Sequence, residues 1–97
     1  MPSTALDTLD SFRTRALARG FDEGLERVWA PDQVTATHAH PFDVEAVVVQ
    51  GELWLTHEGR TRHLTLGDAF VVDHDAPHSE RYGTAGAVIW AARRTPR

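Results

Sequence analysis

Two of the six histidines stand close together, in the run Thr37-His38-Ala39-His40-Pro41. If this run is extended, side chains alternate between faces. His38 and His40 then point to the same side, with Cα atoms about 6–7 Å apart. Two imidazoles at that spacing can bind one metal ion. A His-x-His pair on a strand is often incidental, so a metal site requires a further ligand from elsewhere in the chain.

A third histidine follows at a distance, after the run Gly67-Asp68-Ala69-Phe70-Val71-Val72 and a second group of turn-forming residues. This stretch predicts a turn, a short strand, another turn and then His78 at the start of a further strand. Pro77 restricts the backbone before His78 and fixes the direction of its approach. A His₃ site needs such a third imidazole from a distant strand. In the alternative interpretation His78 only opens a surface strand.

A helix is predicted ahead of these motifs. Ser3 or Thr4 can cap it, and Gly20 supplies a stop. Its apolar residues recur at helical spacing: Leu6, Leu9, Phe12, Ala16 and Leu17. A helix with one apolar stripe is expected to lie against the rest of the domain or against a partner subunit.

Short segments rich in β-branched and aromatic residues follow Gly24. They are residues 25–30, 34–38, 44–49, 53–57, 61–64, 69–72, 78–82 and 87–92. Turn formers separate them, including a two-residue hairpin turn at Glu58-Gly59 and a glycine-containing turn at 83–86. Many short strands with close turns predict an all-β sandwich or barrel with one N-terminal helix. We expect a single domain, with residues 1–24 as helix and lead-in and residues 25–97 as the β-barrel.

The order and spacing of the two histidine motifs resemble those of the small single-domain cupins over residues 31–92. The first cupin motif corresponds to His38-x-His40, an acidic cluster and Gly51, and the second to Gly67-Asp68 followed by Ala76-Pro77-His78. The resemblance implies a small antiparallel β-barrel, the jelly-roll-like double-stranded β-helix. It also implies one metal ion inside the barrel, bound by three histidines and usually a glutamate. Here those histidines are His38, His40 and His78.

The carboxylate that would complete the set is left open by the sequence. In the first motif, the spacing counted forward from His40 puts the acidic ligand at Glu45. The spacing counted back from Gly51 puts it at Val44, which has no carboxylate. Strand alternation places Val44 rather than Glu45 on the histidine face, although Pro41 can reset that alternation. Asp43 lies within reach of the turn, and Glu80 shares a strand face with His78. The fourth ligand is therefore Glu45, Glu80, Asp43 or water, with Glu45 and Glu80 ranked level.

The chemistry of the site follows from its imidazoles. Imidazole binds Fe, Mn, Ni, Cu and Zn as divalent ions. The chain has no cysteine, so no thiolate ligand restricts the identity of the metal. Tyr82 and Glu80 have the strand parity of His78 and are the candidates for a ligand pocket. We expect a metal-binding protein that acts on a small molecule, as an enzyme of the oxygenase, isomerase or lyase type. The alternatives are a non-enzymatic sensor or ligand-binding cupin, and a dimeric barrel with a vestigial site.

The composition of the chain also bears on its partners and its location. The net charge of −4 argues against general nucleic-acid binding. No apolar run approaches the roughly 20 residues that span a bilayer. The charged first twenty residues are not expected to act as a signal peptide, and we therefore expect no membrane partner and a cytoplasmic location. A homodimer is expected because cupins of this size commonly pair.

Overall fold

The computed structural model describes residues 8–96, and its helix α1 is Leu9–Ala18. Thr8 has extended backbone and caps the helix, since its hydroxyl oxygen accepts a hydrogen bond of 3.0 Å from the Ser11 amide. The predicted caps, Ser3 and Thr4, and the predicted apolar residue Leu6 lie outside the described residues.

The C-terminal end of α1 confirms the predicted stop at Gly20, which has φ +90°. The Gly20 amide donates to the Leu17 carbonyl at 3.1 Å, and the Phe21 amide donates to the Ala16 carbonyl at 3.0 Å. This is the double hydrogen bond of a Schellman motif. It turns Phe21 back onto Ala16, and both pack with Ala92 of the barrel. The helix therefore lies against the barrel, although Leu17 of its predicted stripe is exposed.

Five strands form the barrel: β1 (Glu23–Trp29), β2 (Asp43–His57), β3 (Arg60–Leu64), β4 (Ala69–Val72) and β5 (His78–Arg94). Every pairing is antiparallel. The long strands β2 and β5 pair almost from end to end. β4 adds to the first half of β2 and β3 to its second half, while β1 adds to the second half of β5. The predicted all-β class with one helix is confirmed, as an antiparallel jelly roll.

The predicted number of strands was wrong because each long strand bends instead of stopping. Segments 44–49 and 53–57 are two halves of β2, and segments 78–82 and 87–92 are two halves of β5. The predicted turn at 83–86 lies inside β5. The register of β2 against β5 shifts around Gly51, which has φ +76°. A bulge at a glycine lets a strand bend sharply while the pairing continues on both sides.

Segment 34–38 was predicted as a strand and is not one. It makes two isolated bridges to β5, Val34 with Arg81 and His38 with His78. Four residue steps on the segment therefore face three on β5, so a continuous ladder cannot form between the bridges. The segment still runs beside β5, where the Thr35 amide donates to the Glu80 carbonyl at 2.9 Å.

The hydrophobic core lies between the two halves of the long strands. Its most deeply buried side chains are Tyr82, Leu53, Leu64, Val48 and Val72. At one end, Glu58 and Gly59 form the predicted hairpin turn between β2 and β3, with φ +54° and +75°. Within residues 8–96 no helix has the length and apolar character needed to span a membrane.

Candidate metal site

Three histidines from two parts of the chain meet beside the core. The imidazole centroids of His38 and His78 lie 4.4 Å apart, those of His40 and His78 4.7 Å, and those of His38 and His40 5.2 Å. One ligand nitrogen from each lies within 4.8 Å of the others. Two donors about 2.1 Å from a common ion are at most roughly 4 Å apart, so small side-chain shifts bring all three to one ion.

Backbone hydrogen bonds hold these histidines in place. The His38 amide donates to the His78 carbonyl and the His78 amide to the His38 carbonyl, both at 2.9 Å. The amide of Asp75 donates to the His40 carbonyl at 2.7 Å. The His40 ring stacks on Phe42 with centroids 4.8 Å apart. The site is therefore built where an irregular segment crosses the start of β5.

The outward hydrogen bonds of the imidazoles leave metal-binding nitrogens facing one another. Nδ1 of His38 donates to the Ala36 carbonyl at 2.7 Å, and Nδ1 of His78 donates to the Ala76 carbonyl at 2.9 Å. Each ring then carries its lone pair on Nε2, the tautomer that a metal ion requires.

His40 contributes a nitrogen that is short of a partner. Its Nδ1 is buried and has no hydrogen bond within residues 8–96. The pKa of His40 is lowered, first by burial and then by the neighbouring His78 and His38. A neutral ring with an unsatisfied buried nitrogen fits a metal ligand, because a bound ion would remove the penalty of that unpaired group.

Glu80 is the carboxylate that the structure brings to the histidines. Its Oε1 lies 3.8 Å from Nε2 of His78, and its Oε2 lies 3.8 Å from Nε2 of His38. The Thr35 hydroxyl donates to Oε2 of Glu80 at 2.6 Å and accepts from the Glu80 amide at 3.0 Å. This reciprocal contact fixes the side chain beside both Nε2 atoms. Thr35 was not singled out from the sequence, which gives no signal for it.

Glu45 lies on the opposite face of β2 and is engaged elsewhere. Its two carboxylate oxygens accept hydrogen bonds from the guanidinium of Arg19 at 2.7 and 3.1 Å. The alternation along β2 is unbroken here, because Val44 and Ala46 line the histidine pocket while Glu45 faces α1. Glu45 is thus not brought to the three histidines.

Asp43 is likewise directed away from the histidine site. Its Oδ1 accepts from the His74 amide at 2.7 Å and pairs with Nδ1 of His74 at 2.9 Å. These contacts lower the pKa of Asp43, the backbone hydrogen bond most, and the side-chain bond raises the pKa of His74. His74 is exposed and Asp43 is half-buried, and their contact ties the turn after β4 to the start of β2.

A pocket of about 90 Å³ opens beside the histidines. His40, His78, Glu80 and Tyr82 all line it. Tyr82 is 1% exposed and stacks on Trp29, with ring centroids 4.8 Å apart. Burial, and secondarily the charge of Glu80, raises the pKa of the Tyr82 hydroxyl. The raised pKa keeps the hydroxyl protonated, so it can donate a hydrogen bond.

Sequence reasoning missed two arginines that line this pocket, Arg27 and Arg93. The signal was present for Arg27: strand alternation puts it on the same face as Leu25 and Trp29, where an apolar side chain is expected. Arg93 stands in the C-terminal run Arg93-Arg94, a pattern that is typical of a solvated tail.

Comparison with known proteins decides the family. The family model for the cupin domain matches residues 25–91. The chain belongs to the cupin family. No curated protein sequence matches this cupin significantly.

Solved structures place the same fold in proteins of different kinds. The cupin is 26% identical to KdgF from Halomonas sp., with a TM-score of 0.69 over 77% of this chain and 69% of that one. It is 22% identical to the Cupin_2 domain of an XRE family transcriptional regulator from Enterobacter cloacae (TM-score 0.65, 77% and 82% covered). A structure of the DMSP lyases RdDddP and RnDddQII is 19% identical (TM-score 0.69, 74% and 37% covered). The last two show the fold alone.

Proposed function

We propose that this cupin binds one divalent metal ion through His38, His40 and His78 and uses it in a reaction on a small molecule. The convergence of three ligand nitrogens within 4.8 Å carries the proposal. It is supported by the unpartnered Nδ1 of His40 and by the tautomers of the other two rings. A vestigial site would not be expected to keep donors aligned on a common point.

Glu80 is proposed as the fourth ligand. Its two oxygens lie 3.8 Å from the Nε2 atoms of His38 and His78, and the Thr35 hydroxyl orients it. A donor set of imidazoles and one carboxylate suits Fe, Mn, Ni, Cu or Zn as the divalent ion. A bound ion of this kind supplies Lewis acidity and lowers the pKa of a coordinated water.

The residues beside the histidines favour an enzyme over a passive carrier. Tyr82 presents a hydroxyl that stays protonated, so it can donate to an oxygen of a bound molecule. Apolar side chains on the same pocket walls keep water out around it: Val44, Ala46, Phe70, Val72, Ile89 and Ala91. Among proteins with this fold, the DMSP lyases are enzymes, and the Enterobacter cloacae domain belongs to a regulator. A sensor would bind a small molecule in the same pocket and release it chemically unchanged.

Metal analysis of untagged protein tests the proposal. We expect about one divalent ion per chain in the wild type and a content far below that in His78→Ala, because removing one of three histidines leaves too few ligands. His63→Ala is the matched control, since His63 lies on β3 and hydrogen-bonds Glu52 instead. A wild-type metal content near zero, or a content unchanged in His78→Ala, would contradict the proposal.

A further inference from the structure

Arg27 occupies a position on β1 that faces the barrel interior. It lies opposite Ile89 in the β1–β5 register, while Trp29 lies opposite Ala87. Both β5 partners are buried core residues. Val28, the next residue along β1, points the other way and is 73% exposed. The Arg27 side chain is itself exposed, and it lines the histidine pocket from this position on the inward-facing side of β1.

The guanidinium of Arg27 has no acidic partner. It stacks over the ring of Trp29, with Cζ 4.8 Å from the ring centroid. No carboxylate within residues 8–96 forms an ion pair with it. Arg93, the second arginine of the pocket, does have a carboxylate, since it lies 3.7 Å from Glu23. Arg27 is therefore a cation at the pocket that is held against Trp29 and has no carboxylate partner among residues 8–96.

We infer that the pocket binds a small molecule bearing a carboxylate, and that Arg27 is the group that receives this carboxylate. The planar guanidinium offers paired N–H donors that match the two oxygens of a carboxylate. Stacking on Trp29 restricts the side chain, so little freedom is lost when the anion binds. The inference rests on the proposed function, whose metal site lies on the same pocket.

The size and walls of the pocket limit the rest of the molecule. About 90 Å³ accommodates only a small compound. The remaining walls are largely apolar and include Phe70, Val72 and Ile89. The one acidic side chain of the described residues on the pocket, Glu80, lies at the histidine end. The anionic group is therefore directed away from Glu80 and towards Arg27.

Binding of propanoate and propanamide tests the inference, because the two probes have the same shape and differ in charge. By isothermal titration of the protein as purified, we expect propanoate to bind roughly tenfold more tightly than propanamide. In Arg27→Gln this preference should shrink to within about twofold, and Arg27→Lys should keep part of it. Equal binding of the two probes to the wild type, or a preference unchanged in Arg27→Gln, would overturn the inference. Tighter binding of inorganic phosphate than of propanoate would overturn the assignment to a carboxylate.

Arg81→Gln is the matched control. Arg81 also stacks on a tryptophan, with Cζ 4.0 Å from the Trp54 ring centroid, but it lies outside the pocket. The Arg81→Gln variant should therefore keep the full preference for propanoate over propanamide. Metal content separates the two proposals: Arg27→Gln is expected to retain the wild-type metal content while losing the preference. A preference that persists in Arg27→Gln and vanishes when the metal is removed would mean that the ion, and not Arg27, binds the carboxylate.

Discussion

Glu80 and Glu45 carry the same chemical group in two different surroundings. Glu80 is 11% exposed at its side chain and lies between two histidine Nε2 atoms, whereas Glu45 is 37% exposed and is bound by Arg19. We expect Glu80→Gln to weaken metal binding about 10- to 100-fold, because the amide lacks the negative charge that a divalent ion requires. Glu45→Gln should leave it unchanged. Competition against a chelator of known affinity measures both, and equal effects would show that Glu80 is not a ligand.

The His74–Asp43 pair predicts a pH dependence of stability outside the metal site. Folding raises the pKa of His74 above 6.5, so its contribution is full below that value and is lost as pH rises through the folded pKa. Folding lowers the pKa of Asp43 below 3.8, so its contribution is present above that value and is lost as pH falls through the folded pKa. Both contributions are therefore present between about pH 3.8 and 6.5.

Asp43→Asn is expected to lower the pKa of His74 towards its ordinary value, because the charged hydrogen-bond acceptor is lost. Titration of the imidazole ring protons by NMR measures this directly. Asp73→Asn is the control and should lower the pKa of His74 less than Asp43→Asn does. Asp73 acts on His74 only through its charge, and it does so most weakly of the three neighbouring aspartates. A His74 pKa that does not move in Asp43→Asn would refute the assignment.

The position of the carboxylate shows how far residue patterns alone can go. Spacing indicated that His38 and His40 share a face, and parity placed Glu80 and Tyr82 with His78. The residue pattern could not decide whether Glu45 or Glu80 is the fourth metal ligand. The effect of Pro41 on the alternation depends on whether β2 starts before or after the turn. β2 starts at Asp43, after Pro41, and the alternation runs unbroken from there as far as Val48, before the bend at Gly51.

At the level of elements, the bend of the long strands depends on glycine at position 51. A Cβ at Gly51 would collide with the Gly86 carbonyl oxygen, whereas a Cβ at Gly59 would have no atom within 4 Å. Their φ values are nearly equal, +76° and +75°. Gly59→Ala is therefore expected to lower the free energy of unfolding by about 1–2 kcal/mol from backbone strain alone.

In Gly51→Ala the new Cβ collides with the Gly86 carbonyl oxygen, in addition to the backbone strain of a positive φ. This variant should lower the free energy of unfolding by at least about 3 kcal/mol. Urea unfolding of both variants provides the comparison. Similar losses in the two proteins would mean that the contact between the two bends is not tight.

Element types were easier to predict than element limits. The helix stop at Gly20, the hairpin at Glu58-Gly59 and the β class all follow from local chemistry, which a sequence displays directly. The continuity of β2 and β5 does not, because a glycine that bends a strand looks the same in the sequence as one that ends it. The irregular course of residues 34–38 depends on a mismatch with β5, whose bridge partners lie 40 and 47 residues further along the chain.

For the molecule as a whole, the homodimer and the cytoplasmic location stay predictions. Exposed large apolar side chains lie on several elements: Leu17, Val28, Val34, Leu66 and Val71. Burying some of them between two copies would add apolar area to a small domain. Sedimentation equilibrium is expected to give twice the chain mass of 10.8 kDa. A single species at the chain mass over micromolar to millimolar concentrations would contradict the dimer.

The pairing of β2 with β5 also affects how fast the chain can fold. Partners in this pairing range from His57 and His78 to Asp43 and Arg94, so they are from 21 to 51 residues apart in sequence. Contacts at such separations are entropically expensive to form early, and domains rich in them fold in milliseconds to seconds. The β2–β3 hairpin, closed by the two-residue turn at Glu58-Gly59, is the most local of the strand pairings, so we expect it to form first. The pairing would then zip outward from His57 and His78, so that His78 is in place before the far ends of the two strands meet.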